Sequence, residues 1–141
     1  MTDLEFQESD NKKRFLKRYR KNVALIDRLK YKIKCLDERM SSLKSPKLSD
    51  MPRGGTPVTI EDLVAEKIEI EHRIRRLEDK GRVIKVEILD KIDELEDPRY
   101  AEVLESFLID CKDLDTIGEE LGYTTRHIER LYSEAINAVS V

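Results

Sequence analysis

Apolar residues in this chain recur at steps of three and four, and that period decides the fold class. From Ile26 the series runs Ile26, Leu29, Ile33, Leu36, Met40, Leu43. A second series runs Ile60, Leu63, Ile70, Ile74, Leu77, Ile84, Ile88, Ile92, Leu95. Steps of this kind place one apolar stripe along a helix, whereas a half-buried strand would alternate in twos. Composition agrees. Charged residues make up 40% of the 141 and aromatics 6%, with no Trp. That is little material for a single globular core and suits long amphipathic helices sharing a seam. The expected fold class is therefore all-α.

The first long helix is expected from about Asn11 to Leu43, after a disordered N-terminus over residues 1–10. Phe15 and Tyr19 extend its stripe toward the N-terminus, and Asn22 falls on the seam between Tyr19 and Ile26. A polar seam residue either fixes register or marks where the helix leaves its partner. Pro46, Pro52 and Pro57, with Gly54 and Gly55, forbid helix over residues 45–58 and predict an exposed loop. The second helix starts at Thr59, whose spacing to Asp62 is that of a capping box. Lys67 and Gly81 interrupt its stripe, and Gly81 marks either a bend or a boundary. The two helices together make a long antiparallel, coiled-coil-like hairpin over residues 11–82.

Beyond residue 83 the signals are local. Asp97 and Pro98 fit the cap and first position of a helix whose apolar face is Tyr100, Val103, Leu104, Phe107 and Leu108. The run from Asp113 to Ala138 predicts two short helices around a turn at Leu121-Gly122-Tyr123. Asp113 and Thr124 can cap them, and Gly122 suits the left-handed residue that stops the first. Ile117, Leu121, Tyr123, Ile128 and Leu131 would face inward, with Gly118 at the closest approach. This is the pattern of a helix-turn-helix whose second helix enters the DNA major groove, with an ordinary helical hairpin as the plainer alternative.

Charge is unevenly distributed behind a net −3. From Lys12 to Lys44 thirteen cations face three anions, a net of +10. Glu61 to Asp97 holds thirteen acids and eight bases, −5, and Arg99 to Glu134 nine acids and four bases, again −5. The dense cations Lys12, Lys13, Arg14, Lys17, Arg18, Arg20 and Lys21 suit phosphate contacts and equally suit pairing with the acidic second helix. The acidic C-terminal part needs help to hold DNA, since phosphate attraction supplies most non-specific affinity. The basic helix, a homo-oligomer formed through the coiled coil, or a polymerase could supply it; otherwise DNA is not the partner.

The run I-D-E-L-E-D-P-R-Y-A-E-V-L-E-S-F-L from Ile92, followed by D-L-D-T-I-G-E-E-L-G-Y-T-T-R-H-I-E-R-L-Y-S-E-A-I-N-A-V from Asp113, resembles region four of bacterial sigma factors. Ile117-Gly118-Glu119, Leu121-Gly122 and Thr124 carry that resemblance. The layout as a whole, including Ser45-Pro46, Pro52-Arg53-Gly54-Gly55 and Pro57, resembles small phage-encoded regulators of Gram-positive bacteria, the ArpU- and RinA-like late-gene activators. The resemblance implies a sigma-like domain over residues 83–141 that binds double-stranded DNA alongside host RNA polymerase. It implies DNA-binding residues Thr124, Thr125, Arg126, His127, Glu129 and Arg130, with His127 near phosphate. Arginine can bond guanine bidentately, glutamate can accept from cytosine, and a threonine methyl can meet thymine.

The expected function is sequence-specific transcriptional regulation. The rivals are a protein-interaction module that contacts polymerase or another phage protein, and a DNA-packaging recognition subunit. No nucleophile–base, phosphate-loop or paired-carboxylate constellation points to an enzyme. Cys35 and Cys111 are far apart, and His72 and His127 are isolated, so neither a metal site nor a cofactor is expected. The polar, acidic start and the lack of any long apolar run predict a cytoplasmic protein without a membrane partner, and the resemblance implies the cytoplasm of a bacterial host.

Overall fold

The computed structural model describes residues 3–44 and 58–141. Apart from Val58, the expected Pro/Gly loop lies outside them. Among the described residues there are six helices and no strand: α1 (Asp3–Leu16), α2 (Arg18–Lys44), α3 (Ile60–Asp93), α4 (Pro98–Leu108), α5 (Leu114–Leu121) and α6 (Thr125–Ala138). The chain is all-α. None of these helices is long and apolar enough to cross a membrane.

Residues 3–10, expected to be disordered, are helical, and α1 starts at Asp3 instead of near Asn11. Asp3 and Glu5 sit in its first turn and Lys13 and Arg14 in its last, both favourable to the helix dipole. Arg14 also reaches Asp10 one turn back, at 3.0 Å. The expected single helix is interrupted at Lys17. Arg18 Nε donates to the Phe15 carbonyl at 3.0 Å, and its guanidinium lies 4.2 Å over the Phe15 ring. A side chain competing for a helical carbonyl is a recognised cause of such breaks.

The chain divides into two compact units, Met1–Val23 with Lys80–Val141, and Ala24–Asp79. These boundaries differ from the expected 11–82 and 83–141, because α1 and the start of α2 group with the C-terminal helices. In the first unit, α4 packs on α5 and α6, α5 on α6, and α1 on α6. Val103, Leu104 and Leu108 of α4 meet Ile117, Ile128, Leu131 and Ile136 in one core. Leu16, which the apolar stripe passes over, is fully buried in that core, while its stripe neighbours Phe15 and Tyr19 are only partly buried. Phe107 and Tyr132 meet edge to face at 4.9 Å, and Tyr100 Oη donates to Glu134 at 2.9 Å.

In the second unit Ile26, Leu29 and Ile74 form the buried cluster, with Ile33, Ile70 and Leu77 packed against it. Leu43, expected on the seam, is 49% exposed. The capping box is reciprocal: Thr59 N donates to Asp62 at 3.2 Å, and Asp62 N donates to Thr59 Oγ1 at 3.1 Å.

The two residues that break the apolar stripes in sequence meet in space. Asn22 is buried, and Gly81 lies opposite it inside α3. A Cβ on Gly81 would collide with Asn22 Nδ2 and come within 3.8 Å of Tyr19 Cε2. Gly81 therefore lies inside α3, next to the boundary between the two units, and makes room for Asn22. Alanine normally gains about 1 kcal/mol over glycine in a helix. Here Gly81→Ala is expected to destabilise by about 1 kcal/mol or more, because Asn22 must move. Asn22→Ala with Gly81→Ala should lose less than the sum of the single variants in denaturant melts. Strict additivity would show that the two do not share the space.

Candidate nucleic-acid interface

The α5–α6 pair is set by three local devices. Asp113, with extended backbone (φ −80°, ψ 163°), accepts from Thr116 N at 2.8 Å and starts α5. Gly122 stops it with left-handed backbone (φ 76°, ψ 28°), and its N–H and that of Tyr123 both return to the Gly118 carbonyl, the latter at 2.8 Å. Thr124 Oγ1 then accepts from His127 N at 3.2 Å and starts α6. Gly118 is buried at the crossing. A Cβ there would lie 3.0 Å from the Tyr123 carbonyl and 3.6 Å from Ile128 Cγ1.

These devices fix which face of α6 points outward. Ile128, Leu131, Tyr132, Ala135 and Ile136 are buried. Arg126, Glu129 and Arg130 are exposed together, at the spacing of a single helical face. Among the described residues no group hydrogen-bonds or ion-pairs with the side chains of these three. The remaining expected contact residues are differently employed. The Thr124 hydroxyl caps the helix, and the Thr125 hydroxyl donates to Asp115 at 3.3 Å. The His127 ring is half-buried edge-on against Tyr123 at 4.7 Å.

The basic N-terminal cluster is not gathered at that face. Lys12 Nζ donates to the Asn137 carbonyl at 3.1 Å, near the C-terminal end of α6. Eleven residues at 1.5 Å each put this contact about 16 Å along the helix from Arg126. Arg18 pairs with Glu87 at 2.6 Å. Arg20 stacks 4.1 Å over Phe107, and its Nη2 approaches the Lys112 carbonyl at 3.4 Å. Lys17 stands 5.9 Å from the Phe107 centroid, at the edge of cation–π range. Lys13 is half-buried and Lys21 exposed. Four of the seven cations thus engage protein oxygens, while Lys13, Lys17 and Lys21 do not. The stacking of Arg20 on Phe107 had no signal in the sequence, because nothing local links residues so far apart.

The turn before α5 also escaped the sequence reading. Cys111 takes positive φ (58°), and Asp110 N and Lys112 N bond back to the Glu105 and Ser106 carbonyls at 3.1 Å each. These bonds close α4 as a glycine-based cap would. Both cysteines are free thiols, and no metal-binding cluster occurs among the described residues.

The electrostatics are dominated by acids. Residues 1–23 carry seven cations and four anions, and residues 80–141 eight cations and fifteen anions, so the unit bearing α6 has a net charge of −4. Two carboxylates do structural work. The Thr116 backbone N–H, its hydroxyl and the Arg20 charge hold Asp113 below its ordinary value of 3.8. Arg99, first by its side chain and then by its backbone N–H, does the same for Asp97, the cap of α4. Burial pushes the Tyr132 phenol up, with Arg20 opposing. A scan of protein-family models and searches of curated proteins and of solved structures find no match to this chain.

Both caps make the unit acid-sensitive. A carboxylate whose folded value is depressed adds stability that is fully present above its unfolded value and is lost as pH falls through the folded one. Melting of the protein should therefore decline below about pH 4. Asp113→Asn keeps a capping oxygen but cannot titrate, so it should flatten that decline with little change at neutral pH. Gly122→Val should cost roughly 1 kcal/mol or more through its positive φ. Melts of that variant matching the parent protein would overturn the turn assignment.

Proposed function

We propose that this protein is a sequence-specific DNA-binding transcriptional regulator, in which a long antiparallel helical hairpin carries a sigma-region-four-like helix-turn-helix. The observation that carries this reading is the face of α6. Arg126, Glu129 and Arg130 stand exposed, their side chains without partners among the described residues, on a helix locked by Gly118, Gly122 and a threonine cap. Donor, acceptor, donor on one turn of helix is a set that can read base edges in a major groove. Antiparallel pairing is supported by contacts whose numbers rise on α2 as they fall on α3. Arg18 meets Glu87 and Asn22 meets Gly81 in one unit, and Asp37 meets Lys67 in the other. The resemblance of the turn and of the overall layout to ArpU- and RinA-like proteins makes activation of phage late genes with host RNA polymerase the favoured role.

A second reading has a specific observation behind it. Glu102, Glu105, Asp110, Glu119 and Glu120 are all exposed on α4, α5 and the turn between them. That surface would repel a phosphate backbone and suits a basic protein partner, so docking to polymerase can accompany DNA binding or replace it.

A mobility-shift series against upstream DNA of the source genome, at several salt concentrations, tests the reading. Arg126→Ala and Arg130→Ala should each weaken binding to the preferred site by about 1–3 kcal/mol with unchanged melting. If both bind like the parent protein, α6 is not the reading helix. Among the N-terminal cations, Lys13, Lys17 and Lys21 are the ones available to phosphate. Replacing all three with Gln should flatten the slope of log affinity against log salt by up to about 0.9 for each phosphate no longer neutralised. Arg20→Gln should instead lower the melting temperature, because it removes the stack on Phe107.

A further inference from the structure

We propose that the Ala24–Asp79 unit is a homodimerisation element, in which two copies pack one side of their hairpins into a four-helix bundle. The inference rests on the antiparallel pairing of α2 and α3 but not on DNA binding. The unit's own core is thin: Ile26, Leu29, Leu36, Leu63 and Ile74 are its buried hydrophobics among the described residues. Two helices sharing one seam bury little area per residue, and small scaffolds of this kind usually need a partner.

One side of the unit carries a groove whose lining includes Met40 of α2 and Val64 and Ile68 of α3. Val64 is 39% and Ile68 47% exposed, at i, i+4 spacing on a helix whose other stripe already faces α2. These positions form a second apolar row, which an isolated hairpin leaves against water.

Charge identifies the occupant as a second copy. Within the unit, residues 24–44 carry six cations and three anions, +3, while residues 59–79 carry seven anions and four cations, −3. A two-fold axis along the hairpin places α2 of each copy across from α3 of the other, with opposite charges facing. An axis across the hairpin would place α2 on α2, like on like. The internal pair Asp37–Lys67, at 2.8 Å, sets the level. Three residues back along α2 from Asp37 is Lys34, and four forward along α3 from Lys67 is Glu71. Glu71 borders the groove, and Lys34 lines an adjoining hollow on α2 that shares Asp37 and Ser41 with it. Under the first axis Lys34 of one copy meets Glu71 of the second, and Asp37 lies near Lys67 of the second. Neighbouring helices are then antiparallel throughout, as in an up-down four-helix bundle.

Sedimentation of the full chain without DNA tests this, and its outcome is independent of any DNA-binding result. The parent protein should be a dimer over a wide concentration range, and a monomer at every concentration overturns the proposal. Val64→Glu with Ile68→Glu should weaken the dimer by roughly tenfold or more while the helical circular dichroism is kept. An unweakened dimer would show that the interface lies elsewhere. Charge reversal reads the same contact without touching the apolar row. Lys34→Glu alone should weaken the dimer, and adding Glu71→Lys should restore it. A single variant without effect, or a double variant that stays weak, would exclude the arrangement.

Discussion

The burial of Leu16 among the C-terminal helices is the contact on which the rest of the first unit depends. It makes α1 a part of the same core as α4, α5 and α6 rather than a tail before them. Arg20 completes the closure by lying flat on Phe107, the ring that also holds Tyr132 of α6. A guanidinium is well suited to this position, since it can stack on a ring while its edges still seek oxygens. The cost shows in the same place: Arg20 Nε and Tyr132 Oη are buried without a hydrogen-bond partner. The orientation of α6 therefore rests partly on residues more than a hundred positions away in the chain.

What was legible in the sequence was local chemistry. The caps at Asp97, Asp113 and Thr124, the Thr59–Asp62 box and the left-handed Gly122 each need only a few neighbouring residues, and all were readable from type and spacing. The apolar stripe of α3 was readable for the same reason, being a period and not a partner. Long-range packing had no comparable signal. Leu16 falls outside the seam because the core it enters is built from α4, α5 and α6 as well as from α3. Gly81 read only as a bend or a boundary because its further reason, the Asn22 side chain, arrives from another helix. The helical start at Asp3 was missed because an acidic, aperiodic stretch offers no stripe, although its charges suit a helix N-terminus.

The candidate interface shows how structure narrows what composition suggests. Seven clustered cations look like a phosphate-binding strip, yet Lys12, Arg14, Arg18 and Arg20 are engaged with carbonyls or carboxylates of the protein itself. Thr125 is narrowed in the same way. With its hydroxyl turned to Asp115, the methyl is the part left to meet a base. A binding surface so reduced would owe more of its discrimination to a few side chains of α6 and less to bulk attraction.

The discontinuity of the first unit also bears on how the protein folds. Its two pieces are separated by the whole of Ala24–Asp79. Bringing the ends of so long a flexible loop together would cost on the order of 3 to 4 kcal/mol in chain entropy, before any contact repays it. Helical segments form on about the same sub-microsecond to microsecond scale as loop closure, so local structure can be in place before the ends meet. An intervening segment that folds first shortens the effective loop and lowers that barrier. The order of events then runs from the middle of the chain outward, with Leu16 finding its place only after the chain has turned back on itself.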